Sequence, residues 1–70
     1  MPATATYSVT GMTCEHCVAS VREELTEIEG VTGVDVDLGT GRVDVHTADG
    51  AQVTDDDVVA AVREAGYEVA

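Results

Sequence analysis

Two cysteines, Cys14 and Cys17, are the only thiols in the chain, and two residues separate them. Thiolates are soft ligands and select soft ions. A closed structural zinc site asks for four protein ligands, and two cysteines cannot supply them. An ion content with low coordination, such as Cu(I), needs fewer. A close C-x-x-C pair also serves thiol–disulfide exchange, so both chemistries stand at this point. The segment ahead of the pair, Gly11-Met12-Thr13, breaks the pattern of the preceding residues and reads as a loop.

Each neighbour has two readings. Met12 is a thioether that could ligate a soft ion, or a packing side chain that shapes the loop. His16 could be a third ligand or could tune release near neutral pH. It directly precedes Cys17, however, and successive helical residues point about 100° apart, which turns it to solvent. Glu15 reads as a first-turn partner of the helix dipole, and Thr13 as a loop residue beside the first thiol. Tyr67 could hydrogen-bond a cysteine, shield the pair, or simply pack. His46 falls on a solvent-facing position and reads as a surface residue with no role.

The elements that must hold these residues follow from periodicity. Ala3, Ala5, Tyr7 and Val9 alternate with Thr4, Thr6 and Ser8, which predicts a half-buried strand over residues 3–9. Residues 10–14 form a loop. Val18, Val21, Leu25 and Ile28 make a helical stripe, with Gly30 as its stop. Cys14 then sits at the helix boundary and Cys17 in the first turn. Free N–H groups and positive potential at a helix N-terminus lower a thiol pKa. Cys14 is the better candidate for that effect, because Cys17 leans toward the apolar stripe. Val34, Val36 and Leu38, then Val43 and Val45, predict a hairpin turning at Gly39-Thr40-Gly41, with an acidic outer side. Thr54 and Asp57 predict the cap of a second helix, and Val53 with Val58 a hydrophobic staple. That helix buries Val58, Ala61, Val62 and Ala65 and ends at Gly66. Tyr67 and Val69 open a short last strand. The order βαββαβ predicts an α+β, ferredoxin-like fold: one four-stranded antiparallel sheet with two helices on one face.

Seventy residues make a single domain spanning 1–70, with a small core and little room for a deep substrate pocket. That weighs against an enzyme. No apolar run approaches the ~20 residues needed to cross a bilayer, so no membrane insertion is expected. The start, Met1 to Thr6, lacks the features of a signal peptide, which points to the cytosol. Fourteen Asp and Glu against three Arg give a net charge of −11. Nucleic acid and anionic membranes are excluded as partners for want of a basic patch. A disordered acidic tail is excluded by the regular apolar spacing. At molar salt, where the Debye length is about 3 Å, self-repulsion of this size is largely screened. The many valines and alanines, with no Phe or Trp, fit the same picture, and the composition resembles that of a halophilic archaeon.

Gly11-Met12-Thr13-Cys14-x-x-Cys17, set after the first strand, resembles the metal loop of heavy-metal-associated domains, and the element order matches along essentially the whole chain. Within that family the chain looks like the stand-alone copper chaperones and the cytosolic domains of copper-pumping ATPases. The resemblance implies Cu(I) bound by Cys14 and Cys17 and handed by ligand exchange to a copper-transporting P-type ATPase or its cytosolic metal-binding domain. A metal-bridged homodimer is the other association expected, with Met12, Thr13, Val18 and Tyr67 around the contact. Bacterial members commonly carry Tyr at the position of Tyr67. Zinc-transporting members often place an acidic residue before the first cysteine, where this chain has Thr13. Zn, Hg and Ag carriers, and the redox module, are the alternatives.

Overall fold

The computed structural model describes residues 3–70. Met1 and Pro2, the first residues of the stretch read as lacking a signal, lie outside them. The elements run β1 (Ala3–Thr10), α1 (Glu15–Thr26), β2 (Val31–Asp37), β3 (Arg42–Thr47), α2 (Asp55–Glu64) and β4 (Glu68–Val69). The strands form one antiparallel sheet in the order β2-β3-β1-β4, the ferredoxin-like arrangement with two helices that the element order implies. Among the described residues no helix is long and apolar enough to cross a membrane.

The register carries the sheet's alternation into the core. Val34 faces Val45 and Val36 faces Val43, while the intervening pairs are Asp35 with Asp44 and Asp37 with Arg42. Tyr7 faces Val43 on the other side of β3. Val43 and Val45 are shut from water, together with Val21 and Leu25 of α1 and Val58 and Val62 of α2. Apolar burial on this one face is the main favourable term in folding. Among the described residues no polar or charged side chain is buried.

Several boundaries differ from expectation. Helix α1 ends at Thr26, with Glu27 as its cap, and not at Gly30. The Thr26 hydroxyl turns back to donate to the Glu23 carbonyl at 2.9 Å, and the Glu27 and Ile28 amides bond three residues back. This tightened last turn ends the α-helix before the glycine is reached. Ile28 still packs on the core from the turn that follows. Strand β2 begins earlier, at Val31, through an irregularity between Val31 and Gly33, and leaves Leu38 in the turn. Ala3 and Ala5 are exposed, so the apolar face of β1 begins at Tyr7. The last strand starts at Glu68, with Tyr67 just ahead of it.

Helix α2 begins as the sequence pattern requires. The Asp57 N–H donates to Thr54 Oγ1 at 3.2 Å, and the Thr54 N–H donates to the Asp57 carboxylate at 3.1 Å. A second tie was not legible locally: the Tyr7 hydroxyl donates to Asp55 Oδ1 at 2.7 Å. Burial, and then the Asp55 carboxylate, push the Tyr7 phenol up to about 12. His46 is half-buried, not the idle surface residue expected. Its ring bonds Thr4 Oγ1 at 2.9 Å and Asp35 Oδ2 at 2.8 Å, joining β1, β3 and β2 across the outer face. Beside it Arg42 forks onto Asp44 at 3.1 and 3.2 Å, and the Arg42 hydrogen bond holds the Asp44 carboxyl below its usual range.

The excess negative charge gathers where α1 meets α2. The half-buried Glu24 carboxyl is raised, first by burial and then by Glu27, Glu64 and Glu23. Its charged form therefore opposes folding. Circular dichroism melts should show a lower midpoint in dilute buffer than in molar KCl. Glu24→Gln should raise the midpoint in dilute buffer and raise it less in molar KCl; equal gains would place the effect in packing and not in charge.

Gly41 tests the sheet–turn junction. It sits at φ +76°, and a Cβ there would lie 2.5 Å from the Val9 carbonyl oxygen. Its own carbonyl accepts from the Val9 N–H at 2.8 Å, so neither backbone can retreat without breaking that bond. Urea unfolding should find Gly41→Ala destabilised by about 2–3 kcal/mol, the sum expected of positive-φ strain and a backbone clash.

Candidate metal centre

The loop between β1 and α1 turns at Gly11, φ +93°. Its far end is set by Cys14, the N-cap of α1, with extended backbone at φ −155°. The Cys14 carbonyl accepts from the Cys17 and Val18 amides at 3.1 and 3.3 Å, which winds the first turn. Ser, Thr, Asp or Asn at this position would bond the first-turn amides with its side chain. Cys14 makes no such bond, so its sulfur is left for other use. The winding carries the Cys17 sulfur to 3.6 Å from the Cys14 sulfur. Both thiols are free; Cys14 is exposed and Cys17 half-buried.

The charged form of Cys17 is strongly favoured. The backbone of Thr13, the Tyr67 hydroxyl, the Cys14 thiol and the backbone of Cys14 all hydrogen-bond its sulfur and lower the thiol from 9.0 to about 6, against an opposing effect of burial. This corrects the expectation that Cys14 is the thiol held low. It also relocates the cause. The largest cause is the backbone of Thr13, in the loop ahead of the helix, and not the open N–H groups of the first turn. The Thr13 hydroxyl contributes little, lying 3.9 Å from that sulfur. Tyr67 is raised in turn, chiefly through the same bond to Cys17.

The other residues singled out by sequence divide by place. Met12 is half-buried and packs against the core. Glu15 and His16 are exposed on the first turn. Among the described residues no three His, Cys, Asp or Glu side chains gather where they could hold one ion, so His16 does not join the two sulfurs. Tyr67 reaches the loop from the other end of the chain. Its ring lies against Gly11, with Cδ1 3.3 Å from where a Cβ would stand. A surface groove lined by residues including Ile28, Gly30, Ala51 and Asp57 lies at the far end of α1 and holds no sulfur. What the loop offers is a pair of sulfurs at the surface, open on the Cys14 side.

Comparison with known proteins agrees with this geometry. Residues 6–68 match the heavy-metal-associated domain family. The chain is 42% identical over 65 residues to the copper chaperone CopZ of Bacillus subtilis, covering 93% of each. A solved CopZ metallochaperone superposes with a TM-score of 0.90 at 35% identity, covering 97% of this chain and all of that one. The copper binding domain of HMA7, a P-type ATPase, superposes with a TM-score of 0.87 at 33% identity, covering 100% and 92%. The curated relatives come from Bacillus and Staphylococcus, which are bacteria, and lend no support to the archaeal source that the composition suggests.

The thiol chemistry can be read directly. Titration of thiolate absorbance in the metal-free protein should give one midpoint near the value of about 6 set for Cys17. Tyr67→Phe removes one donor and should move that midpoint upward. Thr13→Ala keeps the backbone amide and should leave it nearly in place. A large upward shift in Thr13→Ala would transfer the role from the amide to the hydroxyl.

Proposed function

Because this chain belongs to the heavy-metal-associated domain family, we propose that it is a copper chaperone: it binds Cu(I) between Cys14 and Cys17 and passes it to a partner. The observation that carries this reading is the paired sulfurs, 3.6 Å apart with no third ligand gathered among the described residues. Two thiolates satisfy a low-coordinate soft cation and leave a zinc ion short of its usual four ligands. The names of the relatives, CopZ chaperones and a P-type ATPase domain, point the same way.

Transfer runs by exchange of like for like. A partner thiolate approaches from the open side and binds the ion beside Cys14 and Cys17, making a three-coordinate bridge. One Cu–S bond to this chain then breaks, and a second partner thiolate replaces the remaining one. Two thiolates surround the ion at the start and two at the end, so no oxidation, reduction or energy input is needed. The acceptor is a cytosolic metal-binding domain of the same fold, such as that of a copper-transporting P-type ATPase. A second copy of this chain is the alternative partner and gives a metal-bridged dimer. The protein works as a single domain in the cytoplasm and catalyses no reaction. Met12, Thr13, Val18 and Tyr67 surround the loop and form the apolar contact, while His16 faces solvent beside it.

Cu(I) titration should give one equivalent per chain, and X-ray absorption should find sulfur donors alone. Cys14→Ser and Cys17→Ser should each lose high-affinity binding. Sedimentation in molar KCl should show association that depends on Cu(I), is lost in Cys14→Ser, and is little changed in Arg22→Ala. Equal association of the metal-free protein would sink the metal bridge, and a nitrogen donor in the absorption spectrum would bring His16 into the site.

A further inference from the structure

Strand β1 pairs with β3 along most of its length but with β4 only at its end. The pairs with β4 are Val9 with Val69 and Thr10 with Glu68, and the contact stops where the Ser8 carbonyl accepts from the Ala70 N–H at 2.7 Å. Backbone groups along an antiparallel strand turn alternately to its two neighbours. The Val9 N–H turns to Gly41 on the β3 side, and the Ser8 carbonyl turns to the β4 side. By that alternation the N–H and carbonyl groups of Thr4 and Thr6 also face the β4 side. Among the described residues no strand lies there beside residues 3–7. Thr4 and Thr6 are exposed, and so are Ala3 and Ala5. Open strand edges are ordinarily blunted by charge, proline or a bulge. The opposite edge of the sheet is blunted in this way: β2 is irregular between Val31 and Gly33 and carries Asp35 and Asp37. The edge of β1 has none of these devices. Its register with β3 is unbroken, and Ala3–Thr10 holds no proline and no charged side chain. In a chain of net charge −11 the first charged side chain is Glu15.

We propose that the free edge of β1, over residues 3–7, is a docking site for an extended, cationic segment of a partner protein, which joins the sheet as a further strand beside β1. Such a strand takes its affinity from main-chain bonds and its specificity from alternate side chains. Here it would pair with the Thr4 and Thr6 backbone, and small or β-branched side chains on its inner face would cover Ala3 and Ala5. The surroundings set its charge. The Tyr7 hydroxyl, at the inner end of the slot, donates to Asp55 at 2.7 Å, and Asp55, Asp56 and Asp57 fill the first turn of α2. A cationic segment gains from that field. A second copy of this chain would bring another net charge of −11 to the edge, and so short a stretch buries far less than a stable dimer needs. The slot lies at the start of β1, whereas the cysteine loop follows its end. The docking site therefore goes beyond the copper reading and can be tested on the metal-free protein.

The probe is a capped synthetic peptide, Lys-Val-Thr-Val-Lys, titrated into the isotope-labelled metal-free protein and followed by NMR. The Thr4 and Thr6 amide signals should move and gain protection from hydrogen exchange, while the amides of Asp35 and Asp37 on the other edge stay in place. The acidic counterpart, Glu-Val-Thr-Val-Glu, should move neither set. Thr6→Pro removes one outward N–H and leaves the ladder to β3 intact, as a proline on an edge strand can. It should weaken binding roughly tenfold, the loss expected of about one backbone hydrogen bond. Thr6→Val keeps the amide and should bind as the parent does. Thr4→Pro, nearer the start of the strand, gives the same reading if Thr6→Pro does not fold. Millimolar Lys peptide that moves neither amide would overturn the proposal. Shifts confined to Asp55, Asp56 and Asp57 would overturn it too, by reducing the effect to attraction between charges. Equal binding of the acidic peptide, or unweakened binding by a folded proline variant, would do the same. Protection of Thr4 and Thr6 that grows with protein concentration in the absence of peptide would put a second copy in the slot and overturn the assignment to a partner.

Discussion

Six side chains, Val21, Leu25, Val43, Val45, Val58 and Val62, are shut from water and form the centre of the apolar cluster that holds the two helices to the sheet. With no Phe or Trp to fill space, the contact between layers is made by short branched side chains. Short side chains let the helices lie close to the sheet and leave small tolerance for displacement. The loop carrying the cysteines depends on this directly. Val9, near the end of β1, and Val21, in the second turn of α1, are both core residues. The segment between them is anchored on each side. Its conformation then follows from Gly11, the Cys14 carbonyl and the first helical turn, and the sulfurs arrive together without a disulfide between them.

Around this core the charge is unfavourable, and the structure manages it unevenly. On the outer face of the sheet, Arg42 forks onto Asp44, and His46 joins Asp35 to Thr4. Exposed pairs of this kind contribute little singly, but the two His46 contacts tie three strands together. On the helical side Glu23, Glu24, Glu27 and Glu64 crowd together, and Arg63, which shares α2 with Glu64, pairs instead with Glu68 of β4. The balance explains how a chain of net charge −11 has a defined fold and why that fold should respond to ionic strength.

What could be read from sequence was what is local or periodic. The stripes of α1 and α2, the alternation of β2 and β3, and the capping box at Thr54 each involve residues a few positions apart, and each has a physical period. Together they imply the element order and hence the fold. Cys14 at the helix boundary and Cys17 in the first turn follow from the same reasoning. The features that escaped it join distant segments or involve backbone alone. Tyr7 of β1 meets Asp55 at the start of α2, and His46 meets Thr4 and Asp35 across strands; no spacing encodes either. The low Cys17 thiol escaped because its main donor is a Thr13 amide, which leaves no trace in the residue type. The contact of Tyr67 with Gly11 escaped because only the fold brings positions so far apart in the chain together. The early stop of α1 turns on which acceptor Thr26 finds, and a glycine four residues later was a misleading sign.

The unused capping potential of Cys14 has a consequence for how this chain can change. Its side chain stands where Ser, Thr, Asp or Asn would each hold the helix start by about 1 kcal/mol. The residue that best suits the fold at this position differs from the one that best suits the clamp. A lineage released from the demand for two thiols would find a more stable protein one substitution away, at Ser or Asp. Retention of cysteine there measures selection for the site and not for the fold. The same asymmetry gives Cys14→Ser unusual value as a test of the proposed metal site, because in a variant that caps its helix better than the parent a failure to bind metal would not come from a weaker fold.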